Sequence, residues 1–169
     1  MLAFAVSFDG PIAIRYPRGS AHQGLQEYQA PVEYGRSEII RKGKKIAVLG
    51  VGSMIPSCME ICKGLKDDGY DPTFGNARFV KPLDVDLLDE LAKDHSLFVT
   101  VEENVKSGGY GEHVSAYMEA CHPEIRVLSA AVWDRFVPQG NVESLRSRIG
   151  LGVEDIRQAI EDSEELREQ

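Results

Sequence analysis

Two arginines in the motif RYPRG have the spacing expected of a phosphate-binding site. Arg15 and Arg18 stand on either side of Tyr16-Pro17, immediately before Gly19. A guanidinium group can hold a phosphate through two parallel hydrogen bonds, and the preceding run PIAIRY is rich in residues typical of a strand. The motif indicates phosphate binding where the chain leaves that strand. Isolated arginines more often form surface ion pairs, so the residues alone leave that alternative open.

A pair of acids and a glycine-rich turn form the second candidate site. Glu102 and Glu103 end the run SLFVTVEE, and Gly108 and Gly109 follow before the next predicted helix. Paired carboxylates suit general acid-base chemistry, and α/β sheets present ligands at this kind of edge. Successive strand residues point to opposite faces, however. The favoured interpretation is that one carboxylate caps the turn while the other faces an interface.

The remaining polar motifs favour structure over catalysis. The Gly50-Val51-Gly52 turn lacks the third glycine of a dinucleotide fingerprint, so we expect a tight strand-to-helix turn in which Ser53 caps the helix. Trp133 to Phe136 are expected to form a packed aromatic corner. Cys58 and Cys62, four residues apart on one predicted helix, are expected in the core. The histidines are expected in solvent or at helix ends, at His22, His95, His113 and His122.

Composition excludes several classes of function. The net charge of −8 would repel a nucleic-acid backbone, and the chain has no apolar run long enough to cross a membrane. The first ten residues lack the features of a secretory signal, and three cysteines are too few for a disulfide framework. These observations predict a soluble, cytoplasmic protein that binds neither nucleic acid nor a membrane.

Strands alternate with helices over most of the chain. Apolar runs predict strands at 44–50, 72–80, 96–103 and 124–132, and helical spacing predicts helices at 54–66, 85–93, 110–121 and from residue 153. This order predicts an α/β fold with three layers, in which helices flank a mainly parallel sheet. Residues 1–19 are expected to be the tail of a preceding domain with a strand at 12–16, residues 20–43 a linker, and residues 44–169 the α/β domain.

Four motifs together resemble one enzyme family. DGPIAIRYPRGSA, GNARFVKPLD, VEENVKSGGYG and WDRFVPQG occur in the order and spacing found in the C-terminal part of 1-deoxy-D-xylulose-5-phosphate synthases. Transketolases and the β subunits of 2-oxo-acid dehydrogenases carry similar pieces, so a C-terminal domain from either class is the alternative. A stand-alone binding or assembly module is the alternative of another class.

The resemblance implies a three-domain transferase that joins pyruvate to glyceraldehyde 3-phosphate with loss of carbon dioxide, for isoprenoid and thiamine synthesis. It implies thiamine diphosphate and magnesium in the upstream domains, a pyrimidine-binding domain before residue 20, and a homodimer. This chain alone would then bind neither cofactor and be inactive, with a structural and dimer-forming role.

The resemblance also implies roles for individual residues. Arg18 resembles the arginine that holds the substrate's phosphate, and no residue of this chain is implied as catalytic, cofactor-binding or metal-ligating. Many members have histidine where this chain has Gln139. Supporting or interface roles fall on Arg15, Tyr16, Glu102, Glu103, Gly108 and Gly109.

Overall fold

The fold is built on a five-stranded sheet with the strand order β1-β3-β2-β4-β5. The computed structural model describes residues 1–16, 24–28 and 30–168. Four strands run parallel, and β1 pairs antiparallel with β3. The strands are β1 (Glu38–Arg41), β2 (Lys45–Gly50), β3 (Thr73–Asn76), β4 (His95–Val105) and β5 (Arg126–Val132).

Six helices accompany the sheet among the described residues. The helices predicted after β2, β3, β4 and β5 are all present, and the α/β class with a mainly parallel sheet is confirmed. The first of them is preceded by a short 3-10 turn at Gly52–Met54. The helices are α1 (Leu2–Ser7), α2 (Ile55–Asp67), α3 (Val85–Ala92), α4 (Tyr110–Cys121), α5 (Val142–Arg148) and α6 (Val153–Glu168).

Alternation along β2 explains the three layers. Ile46 and Val48 pack into the core on the side of α2 and α6, whereas Ala47 and Leu49 pack into the core on the side of α3 and α4. Because side chains alternate across a strand, a continuously apolar strand is buried on both faces. Cys58 and Cys62 lie in the first of these cores, as predicted. Burial raises the pKa of both thiols, which keeps them protonated.

The N-terminal part of the chain differs from its prediction. Residues 38–41, inside the segment expected to be a linker, form β1 and join the sheet. This edge strand has only two apolar residues between Glu38 and Arg41, so its sequence carries little strand signal. The strand expected at residues 12–16 is absent, because these residues have no hydrogen-bonded strand partner among those described. The domain boundaries themselves stay a prediction.

Helix α1 is attached to the domain by an aromatic cluster. Phe4 lies edge-on to Phe79 with ring centroids 5.8 Å apart, and Phe8 stacks on Tyr34 at 5.0 Å. The opposite side of the helix is uncovered, since Val6 is 90% exposed. Helix α1 is thus packed on the α/β domain through one face and leaves apolar surface on the other.

The aromatic corner expected at residues 133–136 is not packed. Trp133 is 58% exposed and Phe136 is fully exposed. Lys106 Nζ lies 4.9 Å from the centre of the Trp133 ring, a cation-π contact at the surface. The prediction of a packed corner is wrong, because Trp133 and Phe136 lie in an irregular segment after β5 and belong to neither core. None of the described helices is both long and apolar enough to span a membrane.

Candidate functional site at the carboxyl edge of the sheet

The two acids predicted from sequence lie in the last part of β4, beside the end of β2. Val101 of β4 pairs with Gly50, the last residue of β2, so the β2–α2 turn and the residues after Val101 meet at the same edge. In parallel α/β sheets this carboxyl edge is where ligands bind. The edge therefore brings the acids of β4, the glycine turn before α4 and the 3-10 turn before α2 into one region.

Glu102 is buried beneath the first turn of α4. Its side chain is 1% exposed, and its carboxylate accepts hydrogen bonds from the backbone N–H of Tyr110 at 2.9 Å and of Gly111 at 2.8 Å. A carboxylate here satisfies two unpaired donors and opposes the positive end of the helix dipole. The prediction that one acid caps the following turn is confirmed, and Glu102 is that acid.

The glycine turn is shaped by the same carboxylate. A Cβ at Gly109 would lie 2.6 Å from Glu102 Oε1 and 2.7 Å from the carbonyl oxygen of Val105, too close for any other residue. Gly108 has a φ of 73°, in the left-handed region, and its N–H donates to the carboxylate of Glu112. Both glycines are thus required by the backbone turn. The N–H of Gly108 donates to the Glu112 carboxylate and that of Gly109 to the carbonyl oxygen of Lys106.

Glu103 points away from that turn and joins two other parts of the chain. Its carboxylate accepts a hydrogen bond from Ser53 Oγ at 2.7 Å and another from Arg146 Nε at 3.1 Å. Burial of the carboxyl would raise its pKa, but the hydrogen bonds from Arg146 and Ser53 and the charges of Arg146 and Arg15 outweigh it. The pKa of Glu103 is therefore lowered, and the group is a paired anion rather than a poised base.

The role of Ser53 differs from its prediction. Helix α2 begins without a side-chain cap, and the hydroxyl of Ser53 donates to Glu103 instead. A charged acceptor makes a stronger hydrogen bond than a neutral one, which accounts for the preference. Ser53 thereby ties the β2–α2 turn to the end of β4.

The N-terminal motif reaches the same edge through Arg15. Arg15 Nη2 donates to the carbonyl oxygen of Glu103 at 3.3 Å. Tyr16 is 78% exposed. Arg18, the predicted phosphate ligand, lies outside the described residues, so its placement stays a prediction. The structure thus brings Arg15, Glu102, Glu103, Gly108 and Gly109 to one edge of the sheet.

Sequence reasoning missed Arg146, which forms an ion pair with Glu103. Arg146 lies on α5, whose first residues are capped by the side chain of Asn141 through the N–H of Glu143 and Ser144. The Asn141 cap is a sequence signal for the helix. No sequence signal links Arg146 to Glu103, because the two are 43 residues apart and meet only through the fold.

The remaining polar groups do not form a metal or nucleophile site in the described part of the chain. No group of three His, Cys, Asp or Glu side chains there is arranged to hold a metal ion. His95 is buried between Thr73 Oγ1 at 2.7 Å and the carbonyl oxygen of Leu91 at 2.8 Å. His122, at the end of α4, pairs with Asp89. The groups at the carboxyl edge therefore hold separate segments of the chain together, including the N-terminal segment that carries Arg15.

Comparison with known proteins identifies the family of the chain. The sequence profile described as "Transketolase, C-terminal domain" matches residues 35–156. The 1-deoxy-D-xylulose-5-phosphate synthase of Lachnoclostridium phytofermentans is 41% identical over 157 residues, which cover 92% of this chain and 25% of that protein. The synthase of Azoarcus sp. is 41% identical over 162 residues, which cover 95% of this chain and 25% of that protein.

A solved structure has the same fold. The chain matches a split gene transketolase, in the form of an inactive beta4 tetramer, with a TM-score of 0.73 and 29% identity over 82% of this chain and 46% of that one. The resemblance inferred from the four motifs is confirmed by these relatives. The chain spans about a quarter of the length of the curated relatives that it matches.

Proposed function

This chain belongs to the transketolase C-terminal domain family, and from that premise we propose that it is the C-terminal domain of a 1-deoxy-D-xylulose-5-phosphate synthase. The observation that carries the proposal is the 41% identity to such a synthase over 92% of the chain. The proposed reaction joins pyruvate to glyceraldehyde 3-phosphate with release of carbon dioxide. It would take place in the cytoplasm and supply isoprenoid and thiamine synthesis.

Arg18 is the proposed ligand of the aldehyde's phosphate. Of the two arginines in the RYPRG motif, Arg15 already donates to the backbone of Glu103. One N–H of its guanidinium is used by the domain itself, and the resemblance to the synthases points to Arg18 as the phosphate ligand. A guanidinium matches phosphate geometry and stays charged at any physiological pH, so its removal should weaken phosphate binding before it affects chemistry at the carbonyl.

Thiamine diphosphate and magnesium are assigned to the rest of the longer protein. The described residues do not fit either group. No three of their His, Cys, Asp or Glu side chains are arranged to hold a metal, and the N–H groups of the glycine turn and of the first turn of α4 already donate to acceptors of the chain. We therefore assign the chemistry of the cofactor to the upstream domains, and we expect the chain alone to be inactive.

Contacts with other domains and with a second subunit account for the exposed apolar residues. Val6, Trp133 and Phe136 are 90%, 58% and 103% exposed. Aromatic side chains such as Trp133 and Phe136 are enriched in protein interfaces, and exposed apolar surface such as that at Val6 marks sites of contact. We assign these surfaces to the preceding pyrimidine-binding domain and to the second subunit of a homodimer, which gives the domain its structural role.

Turnover of pyruvate and glyceraldehyde 3-phosphate tests the proposal. The full-length protein with thiamine diphosphate and magnesium should form 1-deoxy-D-xylulose 5-phosphate, and the chain alone should not. Arg18→Ala should raise the KM for the phosphorylated aldehyde more than tenfold, since an arginine–phosphate contact is worth about 1.5–3 kcal/mol. Arg15→Ala is the matched control and should have the smaller effect. A full-length protein that instead uses a ketose phosphate donor would be a transketolase, and the proposal would be wrong.

A further inference from the structure

The motif GNARF, residues 75–79, spans the end of β3 and the turn that follows it. Its side chains do not belong to the site around Glu102 and Glu103, and yet two of them are almost fully covered. The side chain of Arg78 is 10% exposed, and Phe79 is 7% exposed. The contacts of both residues lead to the part of the chain that comes before β1.

Arg78 holds the backbone of the segment that leads to β1. Its Nη1 donates to the carbonyl oxygen of Pro31 at 3.1 Å, and its Nη2 donates to that of Ala30 at 3.1 Å. Arg78 also pairs with Glu38, whose carboxylate accepts the N–H of Ala30 at 3.1 Å. Both side chains are nearly buried, so solvent screens the pair little. One ion pair thus binds three backbone groups of residues 30 and 31.

The backbone conformation of Arg78 suits other residue types better than arginine. Its φ of 54° lies in the left-handed region, where glycine is unstrained and asparagine is tolerated but other side chains cost strain. The N–H of Arg78 donates to Asn76 Oδ1 at 3.1 Å, which supports the turn. Strain that a fold retains at one residue points to a use for that residue. The backbone gives no reason for an arginine here, whereas the bonds to residues 30 and 31 do.

Phe79 holds a second part of the same N-terminal segment. Its ring is buried but belongs to neither core of the domain. It lies edge-on to Phe4 of α1 and to Tyr34, with ring centroids 5.8 Å and 6.0 Å away. Tyr34 in turn stacks on Phe8, which follows α1. The N-terminal segment therefore supplies the aromatic partners of Phe79, and Phe79 anchors α1 in return.

We propose that the GNARF turn is a joint between domains, because it holds the entering chain at two places and so fixes the orientation of the preceding domain. This inference rests on the proposed function, which puts such a domain before residue 20. The two places, residues 30–31 and helix α1, are bound by neighbouring residues of one turn. That turn is itself fixed to the sheet, since the N–H of Ala77 donates to the carbonyl oxygen of Gly50 at 2.9 Å. The entering chain is then a rigid connection and not a flexible linker.

Proteolysis of the full-length protein by chymotrypsin tests the joint. Tyr34 is the reporter, since it lies on the held segment and is followed by Gly35, which is buried against Pro82. Arg78→Asn with Glu38→Gln removes both charges of the pair, so no buried charge is left unpaired, and asparagine keeps the left-handed backbone. Cleavage after Tyr34 should become at least about tenfold faster, because it follows the population of the opened segment.

The melting temperature separates a joint from a contribution to the fold. The double variant should melt within about 3 °C of the wild type, because both cores are untouched. A larger loss, with cleavage accelerated at sites throughout the chain, would mean that Arg78 stabilises the fold and would overturn the inference.

The matched control is Arg157→Gln with Asp68→Asn, which removes an ion pair of the same charges between α6 and α2. Cleavage after Tyr34 should keep its wild-type rate in this variant, since neither residue contacts the N-terminal segment. Equal acceleration in both double variants would be a general effect of a lost ion pair and would overturn the inference.

Small-angle X-ray scattering measures the consequence for the preceding domain. Phe79→Leu keeps an apolar side chain and loses the ring contacts, so its addition to the Arg78→Asn, Glu38→Gln variant releases both places. A freed chain of about eight residues spans about 15 Å on average, and the maximum dimension of the full-length protein should increase by about 10 Å. Unchanged dimensions in this triple variant would mean that other surfaces hold the preceding domain, and would overturn the joint.

The joint and the proposed function fail differently. Cleavage and scattering need no substrate, so a full-length protein that is inert with pyruvate and glyceraldehyde 3-phosphate would overturn the proposed function and leave the joint to its own results. An active enzyme in which Arg78→Asn with Glu38→Gln leaves cleavage after Tyr34 at the wild-type rate would overturn the joint alone.

Discussion

Glu102 and Glu103 are neighbours in β4, but their carboxylates serve different regions of the molecule. Glu102 is 1% exposed and belongs to the interior, where it accepts the N–H groups of Tyr110 and Gly111. Glu103 is half-buried and joins Ser53 and Arg146 at the sheet edge. Because strand residues alternate between faces, one step along the chain separates a group that is buried under a helix from one that joins side chains at the edge of the sheet.

The first prediction tests the interior region where it is most tightly packed. A Cβ at Gly111 would lie 2.2 Å from Ser129 Oγ and 2.5 Å from Thr100 Oγ1. Gly111→Ala should therefore lower the free energy of unfolding by about 3 kcal/mol, at the upper end for overpacking, as measured by urea denaturation. Gly140→Ala is the control, since its Cβ would meet only the flexible end of Leu145 at 3.3 Å. Equal losses in both variants would contradict this account of the helix contact.

The second prediction concerns the buried acid directly. Glu102→Gln replaces a two-point acceptor by an amide whose NH2 group must face a backbone N–H. We expect a loss of about 2 kcal/mol in unfolding free energy, in the range for hydrogen bonds to charged groups. Glu112→Gln, which alters the exposed acceptor of the Gly108 N–H, should cost much less. A cost for Glu102→Gln no larger than for Glu112→Gln would remove the contrast between interior and edge.

A third prediction follows β4 to its other end, where His95 is buried. Burial lowers the pKa of His95 below its ordinary value of 6.5, although the carbonyl of Leu91 and the charge of Asp94 raise it. The unfolded chain then takes up a proton at His95 more readily than the folded one. The contribution of neutral His95 to stability is therefore full above pH 6.5 and is lost as the pH falls from 6.5 through the lowered pKa of the folded state. Denaturation measured from about pH 8 to about pH 5 should show this fall.

Substitution identifies the group responsible. His95→Gln should flatten the decrease, whereas His113→Gln should leave it as in the wild type, because His113 lies on α4 and makes no side-chain hydrogen bond to a described residue. If the decrease persisted unchanged in His95→Gln, another group would be its source.

The smallest expected effect on stability is at Glu103. Glu103→Gln weakens a pair that remains partly in solvent, and such pairs contribute about 0–1 kcal/mol. The unfolding free energy should therefore fall by less than about 1 kcal/mol in the same assay, well below the loss for Glu102→Gln. A large loss of stability at Glu103 would mean that both acids build the fold and would contradict the contrast between the interior and the edge.

Local patterns in the sequence predicted most of the sheet and the part of the site that depends on neighbours in the chain. Continuous apolar runs identified β2 and β4, and the alternation of strand residues predicted that Glu102 and Glu103 would diverge. Strand β1 escaped prediction because its short, charged sequence is held by pairing with β3 and not by its own composition. Helix α1 escaped for a similar reason, since rings from Tyr34 and Phe79 pack against it.

What the sequence by itself determined was the α/β class, the family resemblance and the capping carboxylate, all of which depend on residue types at short and regular spacing. Only the tertiary structure decided that Ser53 binds Glu103 rather than capping α2, and that Arg146 and Arg15 meet at the same residue. The physical reason is that these contacts join residues 43 to 88 positions apart, and no local periodicity records which distant segments a fold brings together.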